Sequence, residues 1–277
     1  MRPASPAITA SQSIALILPA YNEEARIGRT LRSISAYERQ RGVDWPVVVA
    51  DDGSTDDTRS VAEGLAAELG LPLEVVSYPH RGKALTVRDA MLEAATTRDA
   101  DYLMMLDADD EISIDQLDHV DWALDDRTIY IARRVAEANG KVGTRATPLR
   151  RLMSAGMRFA SWILLGLRFP DTQCGFKLFP RSLVPELFGQ QRSAGWVFDA
   201  ELLVIATRVS RLPVVEVPVT WTPRGQSRVT TWAAVTSALA ILEVAARYRS
   251  GRYRAIGRAT PQTGIARPAD DRRPSVG

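Results

Sequence analysis

Residues 46–57 read PVVVADDGSTDD and contain the clearest indication of the fold in this sequence. The apolar run from Pro46 to Ala50 predicts a short strand that is buried on both faces, because a half-exposed strand would alternate apolar with polar residues. The run passes directly into the polar sequence DDGS, which predicts a turn, and Ser54 with Asp57 resembles a capping box at the start of a helix. The stretch thus predicts a strand, an acidic turn and a helix in immediate succession.

The same succession recurs on both sides of this stretch. The predicted strands are Ile14–Leu18, Pro46–Ala50, Leu73–Ser77, Tyr102–Leu106 and Thr128–Arg133. Helices are predicted between them, the first capped by Asn22 and the later ones beginning near Ser54 and Gly82. Short apolar strands that alternate with helices predict an α/β fold with a mainly parallel sheet flanked by helices. Ligands of such sheets bind outside the carboxyl ends of the strands.

The regular alternation of strands and helices ends in the second half of the chain. We predict an amphipathic helix at 148–167, a helix at Val197–Val209 and a strand at Val214–Trp221. The predicted organisation is a disordered N-terminus at 1–13, one domain at 14–229, an amphipathic C-terminal helix at 230–249 and a disordered basic tail at 250–277. The amphipathic helices of this half are expected to lie at an interface.

Composition excludes several classes of protein. The chain has 277 residues, 45% of them hydrophobic and 25% charged, which is the balance of a globular protein and not of a fibrous or disordered one. Its 35 basic and 33 acidic residues leave a net charge of +2, so a nucleic-acid partner is not expected. The single cysteine, Cys174, excludes an internal disulfide. The longest apolar runs, Phe159–Leu167 and Val229–Leu242, are shorter than the ~20 residues that span a bilayer, and we expect a cytoplasmic protein.

An acidic pair follows the fourth predicted strand. Asp107 and Asp109 are separated by one residue, so their carboxylates can converge on one hard cation. Mg²⁺ or Mn²⁺ held there would bind the diphosphate of a substrate, because these ions take oxygen ligands and readily share phosphate oxygens. The pattern alone also fits an acidic turn that holds no metal.

Two further turns are chemical candidates, and each has a structural alternative. Asp51 and Asp52 could accept hydrogen bonds from a nucleobase or ribose, or could form a turn that caps a helix. The sequence HRGK that ends at Lys83 precedes a helix, where a phosphate could bind, and it equally suits a solvated loop. Cys174 has no histidine in an obvious partner motif, and we do not expect it to be a nucleophile.

Arginines cluster around the predicted 148–167 helix. They are Arg133, Arg134, Arg145, Arg150 and Arg151. Arginine beside apolar and aromatic residues suits a face that binds lipid phosphate at a membrane surface. The alternative is an ordinary amphipathic helix that packs on its own domain.

Taken together and in order, these motifs resemble the inverting family 2 glycosyltransferases. The motifs of the first half are Pro19-Ala20-Tyr21-Asn22-Glu23, Asp51-Asp52-Gly53-Ser54-Thr55-Asp56, Gly82-Lys83 and Asp107-Ala108-Asp109. Those of the second half are DTQCGFKLF at 171–179, WVFDAELL at 196–203, EVPVTW at 216–221 and GQSR at 225–228. The second set resembles the dolichyl-phosphate glucosyltransferases and the related dolichol-phosphate mannosyltransferases. The resemblance covers about residues 14–248 and implies a GT-A, Rossmann-like fold.

The resemblance also implies roles for individual residues. Those that would bind the nucleotide sugar are Pro19, Tyr21, Glu23, Asp51, Asp52, Lys83, Asp107 and Asp109, and the last two would also hold the metal. Those that would bind the acceptor phosphate are Arg134, Arg145, Arg150, Ser227 and Arg228. Asp109, Asp199 and Arg134 would be the catalytic residues, and Glu201 would face the sugar or the acceptor together with Asp199.

The activity that the resemblance implies is the metal-dependent transfer of a hexose, with inversion, from a nucleotide sugar to a polyprenyl or dolichyl phosphate. Glucose and UDP-glucose are favoured as sugar and donor. A GDP-mannose-dependent polyprenyl-phosphate mannosyltransferase and a non-catalytic nucleotide-sugar-binding protein are the alternatives. A lipid acceptor also implies a membrane surface as partner, with the protein peripheral on the cytoplasmic face.

Overall fold

The structure is a computed structural model that describes residues 12–122, 126–135, 148–222, 224 and 231–257. For residues 148–155, 157, 231–235 and 237–238 it describes the backbone only. The predicted acceptor residues Arg145, Ser227 and Arg228 lie outside the described residues, and so does the side chain of Arg150.

Seven strands form one sheet in the order β3-β2-β1-β4-β6-β5-β7. Their bounds are β1 Ile14–Ala20, β2 Val47–Asp51, β3 Leu73–Ser77, β4 Tyr102–Leu106, β5 Ile129–Val135, β6 Phe176–Pro180 and β7 Val214–Thr220. The β1–β2, β1–β4, β2–β3 and β5–β7 pairs are parallel, and β6 runs antiparallel to both of its neighbours. The prediction of a mainly parallel α/β sheet is therefore confirmed.

Helices cover both faces of this sheet. They are α1 Ile27–Arg41, α2 Thr58–Leu69, α3 Lys83–Thr97, α4 Pro148–Leu165, α5 Val184–Phe188, α6 Phe198–Leu203 and α7 Thr231–Arg249. A 3-10 segment spans Ile114–His119, another spans Arg181–Leu183, and α6 continues as a π-helical turn at Val204–Val209. One core lies between the sheet and α1 and α2, and the other lies between the sheet and α3, α5, α6 and α7.

One strand of the sheet was missing from the prediction. Residues Phe176–Pro180 form β6, and all five are buried. Their sequence, FKLFP, is short and does not alternate apolar with polar residues as a half-buried strand would. It also contains a lysine, a residue type that is normally exposed, so a strand was not predicted here. The strand exists because both of its edges pair with neighbours, β4 on one side and β5 on the other.

The predicted caps of the first two helices are wrong. Asn22 adopts a left-handed backbone with φ 53°, and α1 begins five residues later, at Ile27. The Asn22 Oδ1 atom instead accepts a hydrogen bond from the Thr55 amide at 2.8 Å, and Ser54 Oγ accepts one from the Asn22 amide at 3.0 Å. These two side chains therefore join the turns that follow β1 and β2 to each other, a contact between distant parts of the chain that local capping patterns do not reveal.

The predicted boundaries of the domain also change. Ser13 hydrogen-bonds to Asp101 Oδ2 through its amide at 2.9 Å, so the ordered chain begins before residue 14. Residues 250–257 are packed on the domain, because Tyr253 and Ile256 are buried and Tyr253 donates to Glu201 Oε1 at 2.6 Å. The predicted disordered tail is therefore wrong at 250–257, and the rest of it lies outside the described residues. No helix in the described ranges is long and apolar enough to cross a bilayer.

We expect Glu38→Gln to stabilise the protein at alkaline pH. Burial in α1 raises the pKa of Glu38 to about 7 from its ordinary 4.5. The folded state therefore favours the protonated carboxyl, and that contribution is complete below pH 4.5 and lost as the pH rises through 7. A glutamine stays neutral, so thermal or urea unfolding at pH 8 should give a gain on the order of 1–3 kcal/mol.

The matched control for this experiment is Glu63→Gln, which alters an exposed glutamate on α2. It should leave the free energy of unfolding unchanged within a few tenths of a kcal/mol, both at pH 5 and at pH 8. A gain for Glu38→Gln that is the same at pH 5 and pH 8 would show that Glu38 is ionised throughout.

Candidate active site

The predicted site residues gather at the carboxyl edge of the parallel strands. β1 ends before Tyr21, β2 ends at Asp51 and β4 ends immediately before Asp107. Because β6 is antiparallel to β4, β6 begins at this same edge, and the turn that precedes it lies beside the end of β4. The Asp107 amide donates to the Gly175 carbonyl at 3.0 Å and joins the two segments.

Lys83 and Asp107 form an ion pair in the middle of this edge. Lys83 is the first residue of α3, and its Nζ hydrogen-bonds to Asp107 Oδ1. Burial is the largest single effect and disfavours both charges, but the attraction and the hydrogen bond between the two groups, with other nearby charges, together outweigh it. The pKa of Lys83 is therefore raised and that of Asp107 lowered. Both side chains are therefore charged at neutral pH and remain partly exposed to the solvent.

Asp109 lies close enough to Asp107 for their negative charges to repel each other. Burial raises the pKa of Asp109, and the neighbouring negative charge of Asp107 raises it further. A cation placed between the two carboxylates would relieve this repulsion, and a hard divalent ion would complete its shell with phosphate oxygens and water. The two side chains thus fit the predicted Mg²⁺ or Mn²⁺, although in the described ranges no group of three or more His, Cys, Asp or Glu residues is placed to hold a metal by itself.

Gly175 is the residue that makes room for Asp107. A Cβ atom at position 175 would overlap the Asp107 carboxylate, so any side chain there must displace it. The glycine of the DTQCGFKLF motif is thereby explained by close packing and not by a special backbone angle.

A second ion pair lies beneath the first, and the sequence analysis missed one of its members. Lys177 Nζ lies 2.7 Å from Asp199 Oδ1, and the two side chains are 2% and 6% exposed. Lys177 also donates to the Cys174 carbonyl at 2.5 Å. Burial raises the pKa of Asp199, and Lys177 offsets part of that rise. A lysine in an apolar run was the one available signal, since a buried lysine needs an acidic partner.

Arg134 ends near the same cluster and is held in two ways. Its Nε and Nη2 donate to the two carboxylate oxygens of Asp171 at 2.6 and 2.9 Å, and its guanidinium lies 5.4 Å from the ring centroid of Trp221. The positive charge of Arg134 also helps to lower the pKa of Asp107.

The thiol of Cys174 is not a nucleophile at neutral pH. Burial first, and then the negative charge of Asp171, raise the pKa of Cys174 to about 12, so the thiol stays protonated and unreactive.

Asp52 organises the turn before α3. Its carboxylate accepts from the Arg81 amide at 2.9 Å, from the Gly82 amide at 3.0 Å and from Thr86 Oγ1 at 2.7 Å. A buried carboxylate at a helix N-terminus also interacts favourably with the helix dipole. Asp52 therefore holds the turn that precedes α3 and caps neither α2 nor α3, because neither helix has a side-chain cap hydrogen bond. A nucleotide contact for Asp52 stays a prediction.

The remaining nucleotide-binding candidates line the same end of the sheet. The rings of Tyr21 and His80 stack with centroids 4.2 Å apart, and His80 Nδ1 lies 3.0 Å from Asp52 Oδ2. Asp51 is buried and accepts from the Ser54 amide at 3.0 Å. Pro19 is half-buried near the end of β1, and Glu23 forms an ion pair with Arg26 at 2.6 Å.

Glu201 does not share the position of Asp199. Its side chain is fully buried, and Oε2 accepts from the Arg192 and Ser193 amides at 2.9 and 2.7 Å. Oε1 accepts from Tyr253 and lies 3.3 Å from Arg247. Because both oxygens are occupied by these contacts, Glu201 holds α7 and the segment after it to the domain, and the expectation that it faces a sugar is wrong.

Comparisons with known proteins agree with this geometry. The sequence model of glycosyl transferase family 2 matches residues 15–188. A dolichyl-phosphate beta-glucosyltransferase of Drosophila melanogaster is 33% identical over 88% of this chain and 78% of its own length. A dolichyl-phosphate beta-glucosyltransferase of Homo sapiens is 27% identical over 88% of this chain and 78% of its own.

Solved structures show the same fold. A glucosyl-3-phosphoglycerate synthase of Mycobacterium tuberculosis in complex with UDP matches with a TM-score of 0.59 and 20% identity, over 86% of this chain and 81% of its own. The same synthase with Mn²⁺, UDP-glucose and phosphoglyceric acid matches with a TM-score of 0.57 and 21% identity, over the same shares. This similarity confirms the predicted GT-A fold.

We expect Asp52→Ala to destabilise the protein by roughly 2–4 kcal/mol, because three buried or half-buried donors lose their acceptor at once. Asp57→Ala is the matched control: Asp57 is exposed at the start of α2, and its side chain makes no cap hydrogen bond. Urea unfolding of both variants measures the difference. Equal stability of the two variants would show that the Asp52 network contributes nothing.

Proposed function

The chain belongs to glycosyl transferase family 2, and on that premise we propose that this glycosyltransferase moves glucose from UDP-glucose to a polyprenyl phosphate of the dolichyl phosphate type. The anomeric carbon would be inverted. The relatives named above support the sugar and the acceptor, and the synthase that binds UDP-glucose supports the donor.

One observation of the geometry carries the proposal: opposite charges meet at one edge of the sheet. Asp107 and Asp109 supply negative charge, and Lys83 and Arg134 supply positive charge, within reach of each other's electrostatic influence. A transferase that joins a nucleotide diphosphate to a phosphate acceptor must hold two anions close together. Such a mixed cluster lowers their mutual repulsion.

Tyr21, the Asp51-Asp52 turn and Lys83 would form the donor side. Tyr21 presents a ring already stacked on His80, and a further aromatic ring can extend such a stack. Lys83 is the first residue of α3, directly after the Gly82 cap. Its ammonium and the partial positive charge of the helix N-terminus would both attract a diphosphate. A divalent cation on Asp107 and Asp109 would neutralise the charge that develops on the departing diphosphate.

Arg134 would bind the acceptor phosphate. Its Nε and Nη2 are engaged by Asp171, which fixes the plane of the guanidinium. Nη1 has no hydrogen bond to any residue that the structure describes, and it would be the donor to a ligand. The acceptor requires little activation, because a phosphate monoester has a second pKa near about 6 and is largely dianionic at neutral pH. The phosphate oxygen can therefore attack the sugar without a side chain that removes a proton.

We expect transfer to require the nucleotide sugar, the lipid phosphate and a divalent metal together. The experiment is a screen of UDP-glucose and GDP-mannose against polyprenyl phosphate in detergent, with Mg²⁺, Mn²⁺ or EDTA. Asp109→Asn should lower kcat by about 10²-fold or more while the melting temperature is kept, because it removes one charge from the metal site. The control Asp115→Asn alters an exposed acidic residue nearby and should keep full activity.

Higher activity with GDP-mannose than with UDP-glucose would reject the proposed donor. Full activity of Asp109→Asn, or in EDTA, would reject the metal-dependent reaction. Absence of transfer and of hydrolysis with every donor would favour a protein that only binds nucleotide sugars.

We further propose that α4 and α7 rest on a membrane surface. They pack against each other, and together they expose the large apolar side chains Phe159, Trp162, Ile163, Leu239 and Leu242. An open groove of about 640 Å³ beside Trp162 and Phe169 carries Arg168 and Arg208, and neither arginine has an acidic partner among the described residues. Apolar and aromatic side chains next to unpaired arginines are typical of surfaces that bind anionic lipid.

We expect Phe159→Ser/Trp162→Ser to lose binding to vesicles that contain anionic phospholipid, by about tenfold or more in a flotation assay. Phe159→Leu/Trp162→Leu is the matched control, because leucines keep most of the apolar area. Both double variants should retain their activity in detergent, where the surface is not needed. Unchanged flotation of the serine variant would contradict the proposed membrane face.

A further inference from the structure

Lys177 is a buried cation to which the proposed reaction gives no task. It lies on β6, with its ammonium between Asp199 Oδ1 and the Cys174 carbonyl. Placing a charged pair in a protein interior costs several kcal/mol for each ion before attraction offsets it. A well-packed apolar pair would avoid that cost, so the position of these charges calls for an explanation in the site above them.

We infer that Lys177 and Asp199 are a positioning pair, which holds the Cys174–Gly175 turn beneath Asp107 and so sets the place of the Asp107 carboxylate. The inference rests on the proposed function, because it assigns Asp107 to the donor site. It also separates Asp199 from the catalytic residues, since Asp199 would then act only through Lys177.

The turn before β6 connects Lys177 to Asp107. Lys177 donates to the carbonyl of Cys174, the next residue is Gly175, and the Gly175 carbonyl accepts from the Asp107 amide at 3.0 Å. The Asp107 carboxylate lies directly over Gly175, where a Cβ would overlap it. A shift of the turn therefore moves Asp107 through both its backbone and its side chain.

The two ion pairs also balance the charge of the site. Lys83 is paired with Asp107, and Lys177 is paired with Asp199, so each cation has one carboxylate as its partner. The two lysines and the two aspartates thus form two ion pairs, and in each pair a positive charge is balanced by a negative one. Neutralising one member leaves the other as a buried charge without a partner, which disturbs its neighbours more than neutralising both does.

Asp199 is too deeply buried to meet a substrate readily. Its side chain is 6% exposed, and its Oδ1 lies against the Lys177 ammonium. The acceptor is already dianionic, so no proton has to be taken from it by Asp199. A buried carboxylate whose charge is balanced by an ion pair is suited to holding the Lys177 ammonium. It is poorly suited to contacting a substrate that enters from the solvent.

The test is a double-mutant cycle with Lys177→Gln, Asp199→Asn and the combined variant, assayed in detergent with UDP-glucose and polyprenyl phosphate. Each single variant should lower kcat by about 30-fold or more, with KM for the lipid phosphate changed less than about threefold. The combined variant should be at least about tenfold more active than either single variant, because two amides can hydrogen-bond without charge. Tyr253→Phe is the structural control: it removes a buried hydrogen bond to Glu201, which lies outside the Lys177–Asp199 pair, and should lower only the melting temperature.

The cycle overturns the inference if the combined variant, while folded, is as inactive as Asp199→Asn, because Asp199 would then act on the substrate itself. Crystal structures of the variants would show the position of the turn at residues 174–175 independently of any activity measurement. Lys177→Gln should shift residues 174–175 and Asp107, and an unmoved turn also overturns the inference. If the unmodified protein transfers no sugar, the proposed function fails, and the crystal structures still decide whether the pair positions Asp107.

Discussion

The antiparallel insertion of β6 between β4 and β5 is the constraint on which the rest of the site depends. A parallel strand at this place would begin at the opposite edge of the sheet, far from the ends of β1, β2 and β4. Because β6 runs the other way, the turn 171–175 that leads into it arrives where Asp107 and Arg134 are. One reversed strand thereby brings a motif of the second half of the chain to the acidic turns of the first half.

Charge compensation then decides which side chains can coexist at this edge. The pairs Lys83–Asp107, Lys177–Asp199 and Arg134–Asp171 each place a cation against a carboxylate. They differ in access to the solvent: the Lys177–Asp199 pair is buried, while Lys83, Asp107 and Arg134 remain partly exposed. A graded arrangement of this kind lets the outer charges exchange partners with a substrate while the inner pair keeps its geometry.

Two groups of helices differ in the side chains that they expose. α1 and α2 cover one face of the sheet with ordinary amphipathic packing, with apolar side chains such as Leu31 and Ala62 turned inwards. α4 and α7 instead leave large apolar side chains exposed, Phe159 and Leu239 among them. An extensive exposed apolar surface is uncommon on a monomer that contacts only water, and it lies on helices that pack against one another.

Local sequence patterns predicted the α/β fold, six of the seven described strands to within two residues, and the polar turns that hold the candidate donor-side residues. Local periodicity and strand-end turns carry that information, because they depend on neighbours in the chain. The resemblance of ordered motifs supplied the family. Only the tertiary structure revealed β6, the linked turns at Asn22 and Ser54, the buried partner of Asp199 and the separate position of Glu201. Each of these depends on contacts between residues far apart in sequence, and a local pattern holds no record of which distant group satisfies a buried charge or a strand edge.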